Sequence, residues 1–264
     1  MIDMTKDSLG NRMKSYYEEI PKIRLMRRTP VALRIDGKAF HTFTRGFKKP
    51  FDELLIKSMQ DTMKYLCENI QGCVFGYTQS DEITLILVDY QTLDTCAWFD
   101  NEVQKMCSVA ASMATLEFNR SFCRHIDNYM ENTDLSSDVE DKYTDSLIRS
   151  LNKGAMFDCR CFNIPKEEVC NLIFWRQQDA TRNSIEMVGR AYFSHKELHK
   201  KNTSMIQDML HEKFNVNWND FPVEQKRGSA CLKDDKGKWY VDHEMPILKG
   251  EDRQYVDRLI YVGE

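Results

Sequence analysis

The 264-residue chain has no run of the roughly 18 consecutive apolar residues that a membrane-spanning helix needs, so no membrane role is expected. Its opening stretch, MIDMTKDSLGNRMKSYYEEIPKIRLMRR, carries acidic residues and lacks the apolar centre of a secretory signal, which makes a cytoplasmic protein the expectation. Among nine cysteines there is no Cys-x-x-Cys pair and the count is odd, which argues against a structural zinc or a disulfide framework. Reduced, buried thiols are predicted instead, with Cys159 and Cys161 sharing one face of a strand. Positive charge is not in excess either. Thirty-seven Lys and Arg against 41 Asp and Glu leave a net charge of −4, which excludes indiscriminate binding of polyanions while allowing a local basic face. Internal repeats and low-complexity tracts are also missing.

What remains, 42% hydrophobic and 30% charged, is the balance of an ordinary globular chain with a substantial core. A largely helical stretch is predicted over 3–20, interrupted at Pro21, followed by a strand at VALRIDG, 31–37. Apolar positions Leu55, Met59, Met63 and Leu66 predict a helix over 51–70. Strands follow at 73–79 and 83–88, then a helix over 95–122 whose Ala110, Ala111, Ser112 and Ala114 allow close packing. The polar, acidic stretch 125–146 reads as a mobile insertion or loop, with room for some helix. AMFDCRCFNIP is strand-like, Lys166 to about Lys213 helix-rich, and the remainder contains short strands.

Strand, helix, strand, strand, helix, strand over 31–163 is the split βαβ, ferredoxin-like order, an α+β arrangement with helices on one face of an antiparallel sheet. The expected division is a catalytic core with an N-terminal helix over 1–163 and a helix-rich part over 164–264 packed on it. That topology brings the end of the first strand, Asp36, near the polar knot Gln79-Ser80-Asp81-Glu82, which interrupts an otherwise apolar hairpin. The knot is either a solvated hairpin tip or half of a metal site. In the second case Asp36 and Asp81 converge, Glu82 points elsewhere, and two carboxylates with a backbone carbonyl suit Mg²⁺. Gly37, Lys38, Ala39, Phe40 and His41 can present backbone amides to a phosphate, with Lys49 and Ser80 close by, so the segment offers what a triphosphate requires. His195 and His199, four apart among lysines, lack the glutamate placement of a zinc protease and read as surface helix. Basic clusters at 22–28, 45–49, 195–201 and 226–227 are solvated faces or polyanion contacts.

RIDGKAFHTF, GFKKPFD, GYTQSDE, FDCRCFNIP and WRQQDATRNSI, in that order, resemble the tRNA-His guanylyltransferase superfamily over roughly 5–232. The resemblance implies a polymerase-type palm that extends the 5′ end of tRNA in the 3′-to-5′ direction. By the same resemblance, Asp36, the Gly37 carbonyl and Asp81 hold two Mg²⁺ ions, and Glu82 is an activity-critical acid. It further places 36–41, Lys49 and Ser80 on the triphosphate, with Asp52 near the base. ATP, GTP and other NTPs are the implied substrates, and the implied assembly is a homotetramer. Arg160, Arg182 and Asn183 are candidates for holding the RNA 5′ end, and Lys105 for the tRNA body. Enzymes dedicated to tRNA-His carry His-Ile-Asn-Asn where this chain has Thr181-Arg182-Asn183-Ser184. That departure resembles the bacterial and archaeal branch, associated with template-dependent repair of truncated 5′ ends, and makes G₋₁ addition to tRNA-His the alternative. A palm-fold nucleotidyl cyclase would share the aspartates without explaining WRQQDATRNS. A non-catalytic tRNA-binding protein would keep the basic clusters without needing Asp36, Asp81 and Glu82.

Overall fold

The computed structural model describes residues 8–134 and 137–263. Six strands, β1 (Val31–Gly37), β2 (Cys73–Gln79), β3 (Glu82–Leu87), β4 (Phe157–Asn163), β5 (Ser229–Lys233) and β6 (Trp239–Asp242), build one sheet. Their order is β4-β1-β3-β2-β5-β6 and every pairing is antiparallel. The first four carry the ferredoxin-like order expected from the sequence, and the last two extend the same sheet.

Helix α1 (Ser8–Met13) runs into a π-helical turn, Lys14–Glu18. The predicted helical residues 3–7 lie outside the described residues. After β1 come the single turn α2 (Phe40–Phe43) and α3 (Glu53–Asn69), which the Asp52 carboxylate caps by accepting from the Leu55 amide at 3.0 Å. Helix α4 (Val103–Asn132) begins later than predicted because Phe99, Asp100 and Asn101 all adopt positive φ, which halts a right-handed helix before Glu102. It then continues into the stretch read as a loop. Residues 125–132 complete α4, and α5 (Asp138–Lys153) follows, capped by Ser137. The loop expectation is therefore corrected over 125–132 and 138–146, and residues 135 and 136 lie outside the described residues. Helix α5 buries Tyr143 and Leu147 beside the polar Thr144 and Ser150, too few apolar positions for the period to stand out. The C-terminal part supplies α6 (Lys166–Tyr192), α7 (His195–Leu198), α8 (Thr203–Phe214), α9 (Val223–Arg227) and α10 (Gln254–Ile260).

Side-chain alternation along the strands gives the sheet two apolar faces. Leu33, Ile35, Ile83 and Leu85 meet α3 and α4, where Ala110 and Ala114 are fully buried. Ala32, Phe75, Tyr77 and Ile86 face Val169, Cys170 and Ile173 of α6 and Val256 and Ile260 of α10. Helices thus cover both faces, the second being covered by the chain that follows β4. Among the described residues, no helix is long and apolar enough to cross a membrane. All nine cysteines are free thiols; Cys67, Cys73, Cys170 and Cys231 are buried, but Cys96 is exposed, so the expectation of buried thiols holds only in part. Cys159 and Cys161 both pack against the first core, and Cys161 Sγ lies 3.5 Å from Cys107 Sγ of α4.

Candidate active site

Hydrogen-bond register assembles the site. Asp36 at the end of β1 pairs with Glu82 on one side and with Asp158 of β4 on the other. Directly opposed residues share a sheet face, so three acids stand in one row across three strands. Asp81 lies in the turn between β2 and β3, tied to β1 by its carbonyl, which accepts from the Gly37 amide at 3.0 Å. Glu82 therefore shares the Asp36 face, where sequence reasoning had it pointing elsewhere. Gly37 fits where nothing larger does, since an added Cβ would sit 2.3 Å from the Phe40 ring.

The acids of this row differ in their partners. Glu82 is 5% exposed and receives Arg176 Nε at 2.6 Å and Arg34 Nη2 at 2.8 Å. Neither Asp36 nor Asp81 is in an ion pair among the described residues. Burial lifts the Asp36 carboxyl above the ordinary range, and the charges of Glu82 and Asp158 add to it against Arg160 and Arg34. Burial also lifts Asp81, opposed by the Ser80 hydroxyl that donates to it at 3.0 Å and reinforced by Asp36 and Glu82. Two carboxylates without cationic partners, whose affinity for a proton is raised by burial and by neighbouring acids, will likewise attract a cation. No group of three or more His, Cys, Asp or Glu is placed to ligate a metal among the described residues. A hard ion held by two carboxylates and a backbone oxygen completes its shell with water and phosphate, so this donor set fits Mg²⁺.

Beside the carboxylates opens a cavity of about 530 Å³. Eight of the sequence-derived candidates line it: Gly37, Ala39, Phe40, His41, Lys49, Asp52, Ser80 and Asp81. Ala39 sits in the left-handed region at φ 56°, Ser80 at φ 51°; both turns hold their backbone against a local preference. The Phe40 and Phe43 rings are buried against Phe118 and Phe157 or Phe122, with centroids 5.2 to 5.8 Å apart. That cluster anchors α2, so Phe40 contributes backbone to the cavity while its ring stays in the core. Helix-opening amides have no intrahelical acceptor; the opening residues of α2, Phe40 and His41, line this wall, while the Thr42 and Phe43 amides donate to Ala39 O. Lys49 is exposed and its ammonium is in no ion pair among the described residues. Lys38 is exposed, and its amide is spent on Met156 O at 2.8 Å. His41 is exposed beside the Thr42 hydroxyl, 3.0 Å away. Asp52 is buried and saturated: beyond capping α3 it accepts from the Lys48 amide at 3.1 Å and the Tyr143 hydroxyl at 2.7 Å.

The RNA candidates divide. Arg160 stands on the Asp36 face, opposite Arg34, with Asp158 Oδ1 at 3.5 Å. Arg182 and Asn183 both contact Asp179, which Arg176 also reaches at 3.0 Å. Asn183 lines a small cavity of about 80 Å³ that shares Asp52, Leu55, Ser80 and Met187 with the larger one. Lys105 is not brought to the site. It sits over the Phe99 ring, ten residues along α4 from Thr115, whose hydroxyl accepts from the Phe157 amide; at 1.5 Å per residue that is about 15 Å. A wider depression of about 790 Å³ on the outer face of α4 holds none of the candidates. Sequence reasoning missed Arg34, Arg176, Asp158 and Arg190. Arg34, Asp158 and Arg176 lie inside stretches that carried the resemblance, RIDGKAFHTF, FDCRCFNIP and WRQQDATRNSI, which was the available signal.

The model of the tRNAHis guanylyltransferase (Thg1) family matches residues 10–165, more than half of the chain and all of the first four strands. The chain belongs to the tRNAHis guanylyltransferase family. Membership makes it a nucleotidyltransferase. Among solved structures it is similar to a bacterial Thg1-like protein in complex with ATP, with 42% identity, a TM-score of 0.82, and coverage of 97% of this chain and 100% of the other. A bacterial Thg1-like protein in complex with GTP matches at 38% identity and a TM-score of 0.73, covering 97% and 100%. The tRNA(His) guanylyltransferase of Debaryomyces hansenii is 24% identical over 238 residues, which are 84% of this chain and 81% of that protein.

Proposed function

We propose that this chain adds nucleotides in the 3′-to-5′ direction to the 5′ end of tRNA, choosing each by pairing with the opposing strand. A 5′-monophosphate is first activated by ATP, releasing pyrophosphate. The 3′-hydroxyl of an incoming NTP then attacks the activated phosphate and AMP leaves. One observation carries the reading: of two carboxylates without cationic partners, Asp81 lines a cavity together with Gly37, the opening of α2 and Lys49, and Asp36 adjoins it through Gly37, a combination that suits a metal-bound triphosphate. Support comes also from the likeness to two bacterial proteins whose complexes hold ATP and GTP.

In this reading Asp36, Asp81 and the Gly37 carbonyl hold Mg²⁺, which supplies charge neutralisation and eases loss of the hydroxyl proton. The chain's own residues do the positioning. The opening of α2 and Lys49 orient the triphosphate, and the fixed φ of Ala39 keeps those amides aimed without reorganisation. Glu82, clamped between two arginines, locks the β1–β3 register that sets Asp36 beside Asp81. Arg182 and Asn183 present donors to the RNA end from the first turns of α6 beyond Arg176.

A second reading, addition of one G to tRNA-His, is favoured by the name of the 24%-identical Debaryomyces relative. Against it stands Thr181-Arg182-Asn183-Ser184 in place of His-Ile-Asn-Asn. The test incubates the purified protein with ATP, Mg²⁺ and four NTPs on a tRNA lacking its first nucleotide, with both strands of the acceptor stem varied. Addition of whichever nucleotide completes the pair establishes templated extension. Addition of G alone, to tRNA-His alone, establishes the second reading, and no addition to any RNA overturns both.

A further inference from the structure

A second cavity, of about 380 Å³, lies at the end of α6. Phe193 and Ile206 close its floor, and Arg190, His195, His199 and Lys201 stand at its rim. Arg190 also lines the nucleotide cavity, so the two hollows share a wall. The segment 195–201, HKELHKK, holds five basic side chains in seven residues, all of them exposed. None of the five is in an ion pair among the described residues, and Lys49 at the nucleotide cavity is in none either. The acids beside the cluster are already engaged. Glu197 accepts from the Ser194 amide at 2.9 Å and pairs with Lys213 at 3.6 Å, while Glu186 holds Arg190 at 2.8 Å.

Leaving three lysines together without counter-charge beside two histidines, in a chain of net charge −4, costs self-repulsion that a bound polyanion removes. Continuity with the nucleotide cavity selects the polyanion. A strand whose terminal phosphate reacts at Asp36 and Asp81 passes Arg190 as it leaves, and the apolar floor accepts a sugar or base face. We infer that residues 195–201, with Arg190, form a track for the phosphodiester backbone of the RNA substrate, running from the nucleotide cavity across the end of α6. This rests on the reading that the chain acts on RNA, and it adds a location for contacts away from the reacting end.

The test compares the full-length protein with the triple variant Lys196→Gln, Lys200→Gln and Lys201→Gln, all exposed positions whose replacement leaves the thermal midpoint in place. Binding of a 5′-phosphorylated, 5′-truncated tRNA is titrated at several KCl concentrations, with ATP binding measured alongside. The expected result is affinity about tenfold or more weaker, a logarithmic salt dependence shallower by about two, in line with lost phosphate contacts, and unchanged ATP affinity. KM for the RNA rises while kcat at saturating RNA holds. Equal affinity and equal salt slope in the two proteins overturn the track and leave the proposed activity standing. If the unmodified protein binds no RNA while still binding ATP, the proposed function fails first. Binding of phosphatidylserine vesicles that the variant loses, with RNA binding intact, assigns the cluster to a membrane surface and overturns the inference.

Discussion

Asp81 and Glu82 are neighbours in sequence and opposites in circumstance. Glu82 is enclosed by β1 and α6 and meets two guanidinium groups, Arg34 and Arg176. Asp81 sits in the hairpin turn with the Ser80 hydroxyl and its own backbone on its carboxylate and no cationic partner among the described residues, near a second unpaired acid, Asp36. One carboxylate's charge is satisfied by the protein; the other's is left for something else to satisfy. Adjacent acids in a strand-turn are therefore not one motif but two devices, one that holds the register and one that binds.

Substitution of the unpaired acids should give the largest effect. Asp81→Asn or Asp36→Asn removes the charge that attracts a metal ion, and nucleotide addition should fall by about a thousandfold or more, matching the several kcal/mol assigned to metal-centred charge stabilisation. Stability should not fall with it. Both groups have folded-state pKa values raised above the unfolded ones, so the stability they lend is fully present only below the unfolded pKa and is lost as pH rises through the folded value. At neutral pH each charge is a cost, and either Asn variant should melt at the same temperature as the parent or slightly higher. A purified Asp81→Asn protein that melts several degrees lower, or that retains addition, would break the comparison.

The reverse behaviour is expected of the clamp. Arg176→Met strands Glu82 as a buried, half-paired charge, and removing one partner of a buried pair typically costs about 3–5 kcal/mol. Chemical denaturation should show that loss, whereas Arg176→Met combined with Glu82→Gln should recover much of it. If the single variant is destabilised by under about 1 kcal/mol, Glu82 is not held as described.

These two devices differ in how far they were legible. Hydrophobic alternation at Ile83, Leu85 and Leu87 and the helical spacing from Leu55 to Leu66 marked the elements, and the split βαβ order alone brought Asp36 to the hairpin. Which of Asp81 and Glu82 faces the Asp36 side was not readable, because it depends on whether the turn takes one residue or two. Here Gln79 pairs with Glu82, so Ser80 and Asp81 form the turn. The clamp was invisible for a different reason: Arg176 lies 94 residues from Glu82, and local pattern says nothing about an ion pair at that separation. The α5 helix hid behind its polar face, and Lys105, assigned through resemblance alone, stands away from the cavity.

Asp179 sharpens the comparison from the third side, with a smaller effect. It is a satisfied acid like Glu82, but only partly buried, gathering Arg176, Arg182 and Asn183. Burial pushes its carboxyl up, and the hydrogen bond from Arg182 with the charges of Arg176 and Arg182 outweighs that, so its pKa lies below the ordinary range. The sign is then opposite to that of Asp36. Its contribution is present above the unfolded value of about 3.9 and is lost as pH falls through the folded one. Asp179→Asn should therefore lower stability by no more than about 1 kcal/mol at neutral pH, the scale of a partly exposed pair. Denaturation curves of the two proteins should converge as the pH is taken below about 4, where the parent loses the charge the variant never had. The same substitution frees Arg182, so KM for the RNA should change even where stability no longer differs. A gap in stability that persists unchanged into acid would mean that the carboxylate's charge is not what Asp179 supplies.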